Sequence, residues 1–513
     1  MDFSEQNNKR VFKNTMLLYV RMIILLGVSL FTTRIVLAAL GFDDYGIYNV
    51  VGGVVALFSF LNTALSNSTS RFITYALGKG DKQYSQSVFN SSLLVHVGIA
   101  LLVLILAETV GLWFLHNKMV IPESRQYAAS WVYQFSIISG IATILYAPFN
   151  AVIIAHERMG AFAKISIVDA FLKLLIAYII SIYHADRLIL YSGLYLGVNL
   201  CNIIIYVVYC RINFNEVKYR KITDKGTPKE IMGFASWSII GNLAHIGYTQ
   251  GLNILLNIFF GPLVNAARGI STQLQGAIMG FVTNFQMAVN PQIIKSYANE
   301  DYNRLHSLIY MSSKFSFFLL FCIILPLSIE ARTVLQLWLG EVPEYTVKFT
   351  ILTLFARLID TLSNPIGIAN NATGSIKVYQ IIEGGTLLLI VPVSYILLKR
   401  GNGPISVFWV QLIIMYAVQV VRLFLVCHKI EMSIITYCNR ILVKILPVAV
   451  CSPILPCALR YFMSENLLSS IIIIMVSVFS VIIFSYLIGL EKEERQFINT
   501  KIMTIVCRIK THS

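Results

Sequence analysis

Residues 15–40 read TMLLYVRMIILLGVSLFTTRIVLAAL. About 20 apolar residues carry a helix across the hydrocarbon of a bilayer, and this run is longer than that while holding two arginines, Arg21 and Arg34. A cation at bilayer depth costs roughly 2.5–3.5 kcal/mol on insertion scales, so it persists where it faces water or a partner. The conflict recurs at Lys173, Arg268, Arg357, Arg422 and Lys444, each inside a later apolar stretch. Together these residues predict a positively charged passage through a membrane, and therefore an anionic cargo.

The composition agrees. With 57% hydrophobic and 13% charged residues, the 513-residue chain has too little polar surface to coat a soluble globule. About fourteen stretches are long enough to span, at 12–39, 45–68, 88–115, 129–153, 165–184, 188–210, 231–258, 262–289, 308–329, 346–369, 378–398, 404–427, 441–461 and 467–489. The connections leave no room for a soluble catalytic domain. The expectation is an all-α polytopic membrane protein.

Loop charge sets its orientation. Lys9, Arg10 and Lys13, then Arg71, Lys79, Lys82, Arg158, Lys164 and the run from Arg211 to Lys229 fall on one side, joined by Lys295, Arg304, Lys377, Lys429, Arg440 and a basic tail. By the positive-inside bias that side is cytoplasmic and holds both termini. The opposite loops include Asp43-Asp44, Glu330, Glu341 and Glu344, with Lys399-Arg400 as an exception. The net charge of +15 is then a topology signal with some attraction to anionic lipid, and nucleic acid is not an expected partner. The first stretch has no small-residue cleavage site and reads as a retained span. Eight cysteines without a Cys-x-x-Cys pair read as packing residues, with no metal or other cofactor implied.

An internal repeat organises the chain. Gly46-Ile47, Gly53 and Asn67 recur as Gly269-Ile270, Gly276 and Asn290 at one constant offset. Repeats of about six spans preserve orientation, which predicts two parallel lobes with a cleft between them. The expected organisation is a lobe over 1–210, a cytoplasmic linker over 211–230, a second lobe over 231–430, two further spans over 431–490, and a basic amphipathic cytoplasmic tail over 491–513.

Polar residues at helical spacing say where water enters. Asn242, His245, Thr249, Asn253 and Asn257 follow one face of the seventh span. Asn265, Arg268, Thr272 and Gln275 do so on the eighth, resuming at Thr283, Gln286 and Asn290, with a weaker series at Ser59, Asn62, Ser66 and Ser70. Interhelical hydrogen bonding explains any single Asn or Ser more simply, but stripes of this length predict a hydrated cavity. Asp169 with Lys173, and Arg357 with Asp360, have the spacing of structural ion pairs. Arg21 and Arg268 have no acid within a turn, Arg34 lies near an outer span end, and Arg422 and Lys444 are placed to snorkel toward the inner face. The candidate cavity residues are Arg21, Arg34, Arg268, Arg357, Asn242, His245, Asn253, Thr272 and Gln275. Asp360, Asp169 and Glu108 are the candidates for binding a coupling ion.

The run Thr33-Arg34-Ile-Val-Leu-Ala-Ala-Leu-Gly41-Phe-Asp-Asp-Tyr45-Gly46-Ile-Tyr48 resembles the entry motif of bacterial polysaccharide-unit flippases, the Wzx-type O-antigen and capsule transporters of the multidrug/oligosaccharidyl-lipid/polysaccharide exporter superfamily. Asn265-Ala-Ala-Arg268-Gly-Ile with Asn290-Pro-Gln-Ile-Ile-Lys-Ser-Tyr297 resembles their second-lobe motif, and Leu490-Glu-Lys-Glu-Glu-Arg-Gln-Phe497 their closing helix. The resemblance implies a V-shaped pair of six-helix lobes plus two carboxyl-terminal helices, moving a polyprenyl-pyrophosphate-linked oligosaccharide between the leaflets of the bacterial inner membrane. It also implies Arg21 and Arg268 as headgroup contacts, and a polysaccharide polymerase and chain-length machinery as candidate partners.

A multidrug or cation antiporter of the same superfamily is the first alternative, but cationic drugs call for buried carboxylates and the intramembrane balance here is basic. A membrane polymerase or ligase acting on lipid-linked sugars is the second; it would need a large outer loop bearing catalytic groups. The charge bias makes the topology testable. A reporter fused after Lys221 or at the carboxyl terminus should be active only in the cytoplasm, and one after Glu341 only outside; an exterior signal from both of the first two would reverse the assignment.

Overall fold

The computed structural model describes residues 3–499 apart from 57–58, 118–120, 184–185, 219–225, 340–341, 465, 493 and 497–498, so most of the expected tail at 491–513 lies outside the described residues. Every regular element among the described residues is a helix. Eleven stretches are long and apolar enough to cross a membrane. They coincide with all the expected spans except 45–68, 231–258 and 262–289, and the described residues of those three are helical too. The stretch 45–68 is interrupted at 57–58, outside the described residues, whereas for 231–258 and 262–289 the shortfall is chemical. Asn, Gln, Ser and Thr lower the hydropathy of the striped spans, while the backbone must still satisfy its own N–H and C=O groups at that depth and so stays helical. The chain is an all-helical polytopic protein of about fourteen spans.

One expected boundary differs. The helix Phe3–Ala56 continues past the first span with one break, at Gly41, where φ is 77° and ψ 173°. Gly226–Ala298 shows no non-helical residue between the seventh and eighth spans, yet Arg268 meets the Thr249 carbonyl at 3.1 Å, whereas a straight helix would hold them about 28 Å apart, so the chain turns back between the two spans as expected.

The chain forms two compact units. The first comprises Met1–Leu243, Met287–Asp301 and Gly374–Gln380. Helix starts here are capped by carboxylates: Asp81 accepts from the Tyr84 N–H at 2.9 Å, and Asp186 from Leu188 and Ile189 at 3.1 and 3.2 Å. One core gathers around Phe89 and Phe149, whose rings meet edge to face at 5.2 Å. Another surrounds the fully buried Tyr133, which donates to the Ala107 carbonyl at 2.7 Å. Arg125 joins Asp44 at 2.8 Å and Asp186 at 2.9 Å, clamping segments that the charge pattern puts on one face of the membrane.

The second unit comprises Ala244–Gln286, Tyr302–Thr373 and Ile381–Ser513. Its core stacks Phe349 on Phe408 at 4.0 Å beside the buried Tyr248. The last two spans are held by buried charges at both ends. Lys314, 1% exposed, meets Glu494 at 2.8 Å, and Glu330 binds Arg460 at 3.3 Å and Ser470 at 2.8 Å. Ile212, Phe424 and Leu468 are examples of many large apolar side chains left exposed. On a soluble protein such surface would promote association, whereas here its solvent is lipid.

Gly41 occupies a region of φ and ψ that is essentially reserved for glycine. Gly41→Ala should therefore lower stability by about 1–3 kcal/mol, seen as a reduced Tm of the detergent-solubilised protein. An unchanged Tm would show that the break is not needed.

Candidate cavity and buried charge network

In the second unit, residues 244–286 present Thr249, Arg268, Thr272 and Gln275 to one small recess. Tyr248, Thr353, Arg357, Phe408 and Gln411 complete its wall. The local reason is periodicity: Arg268, Thr272 and Gln275 are a helical turn apart, so one face carries all three.

Arg268 is only 5% exposed. One terminal nitrogen donates to the Thr249 carbonyl at 3.1 Å, and its Cζ stands 5.7 Å from the centre of the Phe408 ring. Its Nε and Nη1 have no hydrogen-bond partner, and no carboxylate approaches it among the described residues. Arg357 on the same wall also keeps an unpartnered Nε.

The other charges are paired in alternation. Arg357 binds Asp360 at 2.7 Å, Arg422 reaches the other Asp360 oxygen at 3.4 Å, and Arg422 Nε donates to Glu383 at 3.0 Å. Three arginines thus face two carboxylates, and Arg268 is the cation left over. Burial of charge is tolerated only when it is matched, so the chain from Arg357 to Glu383 is a closed account. Arg268 is open.

The helical spacing correctly pairs Arg357 with Asp360 and Asp169 with Lys173. Arg422 does not snorkel as expected; it is 9% exposed and turned inward, because Glu383 and Asp360 offer it a partner that lipid headgroups would have to match. Glu383 was missed, a single carboxylate inside an apolar span. Tyr248, Thr353, Phe408 and Gln411 carried no signal in sequence beyond their presence in spans.

Along the first stripe, Thr249 reaches the recess; Asn253 takes Gln250 as its partner at 2.9 Å, and His245 lies 3.2 Å from the Tyr248 hydroxyl and 3.5 Å from Arg357. Asn242 belongs to the first unit. The side chains of Asn257, Asn265, Ser59 and Asn62 lie outside the described residues. The lower part of the second stripe is packing: Gln286 is buried and bonds Ser316 at 3.0 Å and the Thr361 carbonyl at 3.2 Å.

In the first unit, Arg21 sits over the Phe162 ring at 4.4 Å with its Nε unpartnered. Arg34 is exposed. Both oxygens of Asp169 are engaged, by Lys173 at 2.9 Å and by Asn202 at 2.7 Å. Glu108 lies on the π-helical turn Ala107–Gly111, 3.3 Å from Gln134. Among the described residues there is no group of His, Cys, Asp and Glu able to hold a metal ion.

No family model and no curated protein matches the sequence. Solved structures do share the fold. A MATE transporter in a bent conformation superposes with TM-score 0.70 at 13% identity, over 84% of this chain and 98% of that one. An outward-facing multidrug resistance MATE family transporter of the MOP superfamily gives 0.69 at 14% identity, over the same shares of the two chains. A MOP superfamily transporter from Pyrococcus furiosus, described as having a binding pocket of reverse polarity, gives 0.65 at 14% identity over 82% and 96%. At such identities the likeness establishes a MATE-like transporter fold.

The closed and open charges should respond differently to mutation. Arg422→Ala strands the part-buried Glu383 and leaves Asp360 to Arg357 alone, and should cost up to about 3 kcal/mol, read as lost membrane abundance and a lower Tm. Arg268→Ala strands none and should leave both measurements close to wild type. Equal losses from the two substitutions would mean that Arg268 is a structural residue.

Proposed function

We propose that this chain is a flippase which carries an anionic polyprenyl-pyrophosphate-linked oligosaccharide, a repeat unit for O-antigen, capsule or exopolysaccharide, from the inner to the outer leaflet of the bacterial cytoplasmic membrane. It works by alternating access, with both termini in the cytoplasm and without a cofactor. The observation that carries this reading is Arg268, a buried guanidinium with two free donors, no acid, and a polar recess in front of it. A pyrophosphate supplies the negative charge and the acceptor oxygens that this group lacks, and guanidinium binds such oxygens through paired hydrogen bonds. Thr272, Gln275 and Gln411 suit sugar hydroxyls, Phe408 offers a face for a ring, and the lipid tail can remain in the bilayer. Arg21 gives the first unit a similar cation without an acid. A polymerase and its chain-length partners would receive the product outside.

The competing reading, a multidrug or cation antiporter, draws its support from the MATE structures that share the fold. It needs a buried carboxylate free to take a cation or a proton. Asp360 and Asp169, two of the three acids that could serve, have both oxygens engaged by side chains of this protein.

Arg268→Ala removes charge-assisted contacts worth roughly 1.5–3 kcal/mol. The expected phenotype is normal membrane abundance, lost surface polysaccharide, and lipid-linked units accumulating on the cytoplasmic side. Arg268→Lys should rescue only in part, since lysine keeps the charge and loses the fork. Normal export by Arg268→Ala at matched expression would remove this residue from the mechanism.

A further inference from the structure

Glu157 lies in the short connection between the helices Gln126–Ala155 and Met159–Ile182, where its predicted topology is cytoplasmic. Its side chain is 0% exposed. Lys295 Nζ meets one carboxylate oxygen at 2.6 Å; Gln292 Nε2 at 2.6 Å and Arg10 Nε at 3.1 Å meet the other. Asn14 donates to its backbone carbonyl at 3.3 Å. The residue has a left-handed backbone, φ 57°, where the chain leaves the helix Gln126–Ala155.

These donors come from two parts of the first unit remote from the connection, the amino-terminal helix and the segment Met287–Asp301. That last segment is the informative one. It continues the helix whose preceding residues, up to Gln286, belong to the second unit and carry Arg268. Two more contacts fasten it to the rest of the first unit. Lys79 meets Glu300 at 2.9 Å, and Gly78 lies so close that a Cβ there would stand 2.7 Å from Ala298 Cβ and 3.1 Å from Lys295 Cα. Only glycine permits that approach.

We propose that Glu157 is the latch of a reversible gate on the cytoplasmic face, holding Met287–Asp301 to the rest of the first unit while that face is shut and releasing it when the face opens. The chemistry suits a contact that must part. Apolar residues of similar volume would serve a permanent brace at least as well as a buried ion cluster. When charged groups separate, water takes over their hydrogen bonds, whereas a parted apolar contact has no such compensation. Placing the latch on the helix continuous with Arg268 lets one segment be biased by both the cargo site and the gate, as coupling between sites requires. The inference needs a transporter that alternates and does not depend on which cargo it carries.

The test places cysteine at Ala298, which is fully buried, and follows its alkylation by a charged maleimide added to inverted membrane vesicles, read at that residue by mass spectrometry. Alkylation should be slow, and Glu157→Gln should accelerate it several-fold; Lys295→Gln is the second variant should the first fail to accumulate. In the Lys79→Cys/Glu300→Cys protein, cross-linking by a reducible bifunctional thiol reagent should stop surface-glycan export and reductant should restore it. Unchanged alkylation in the Gln variants, or full export by cross-linked protein, would reduce Glu157 to a static brace. If alkylation accelerates in a protein whose deletion leaves the surface glycan intact, the gate stands and the glycan cargo falls.

Discussion

Every polar group at bilayer depth has to find its partner inside the protein, because hydrocarbon supplies none. This constraint makes every described regular element helical, including the striped spans whose composition is too polar to mark them as membrane segments. It also makes charge countable. In water an unmatched arginine means little, but in a buried helix it identifies what must come from elsewhere.

The second unit uses that constraint twice. From Arg357 through Asp360 and Arg422 to Glu383, cations and anions alternate, so the network is complete without a ligand. Arg268, on the wall of the same recess, stands outside this alternation with two donors unused. The network fixes the helices around the recess, and the excess cation gives the recess a sign. A transporter of cations would be expected to show the reverse, a fixed framework with a carboxylate left over. The same logic reaches Glu157, where an anion is surrounded by more donors than one structural contact needs.

Much of this was legible in the chain. The spans followed from apolar length, and the pairs Arg357–Asp360 and Asp169–Lys173 followed from spacing, because partners on one helix leave a periodic trace. Arg268 stood out for the same reason, through the absence of an acid within a turn. Arg422 and Glu383 did not, since they lie on different helices and nothing in sequence records which helices pack. Phe408 and Gln411 face the recess through tertiary packing alone. Glu157 gave no signal either: one acid in a short basic connection looks like an exposed loop residue until Lys295 and Gln292 close on it.

The central claim is the sign of the cargo, and binding to the purified protein measures it most directly. A polyprenyl-pyrophosphate-linked oligosaccharide and a lipophilic cation are titrated separately against the protein in neutral-lipid nanodiscs, at low and at high salt. The account predicts saturable, salt-weakened binding of the pyrophosphate lipid and no saturable binding of the cation. Saturable binding of the cation, with none of the pyrophosphate lipid, would contradict it.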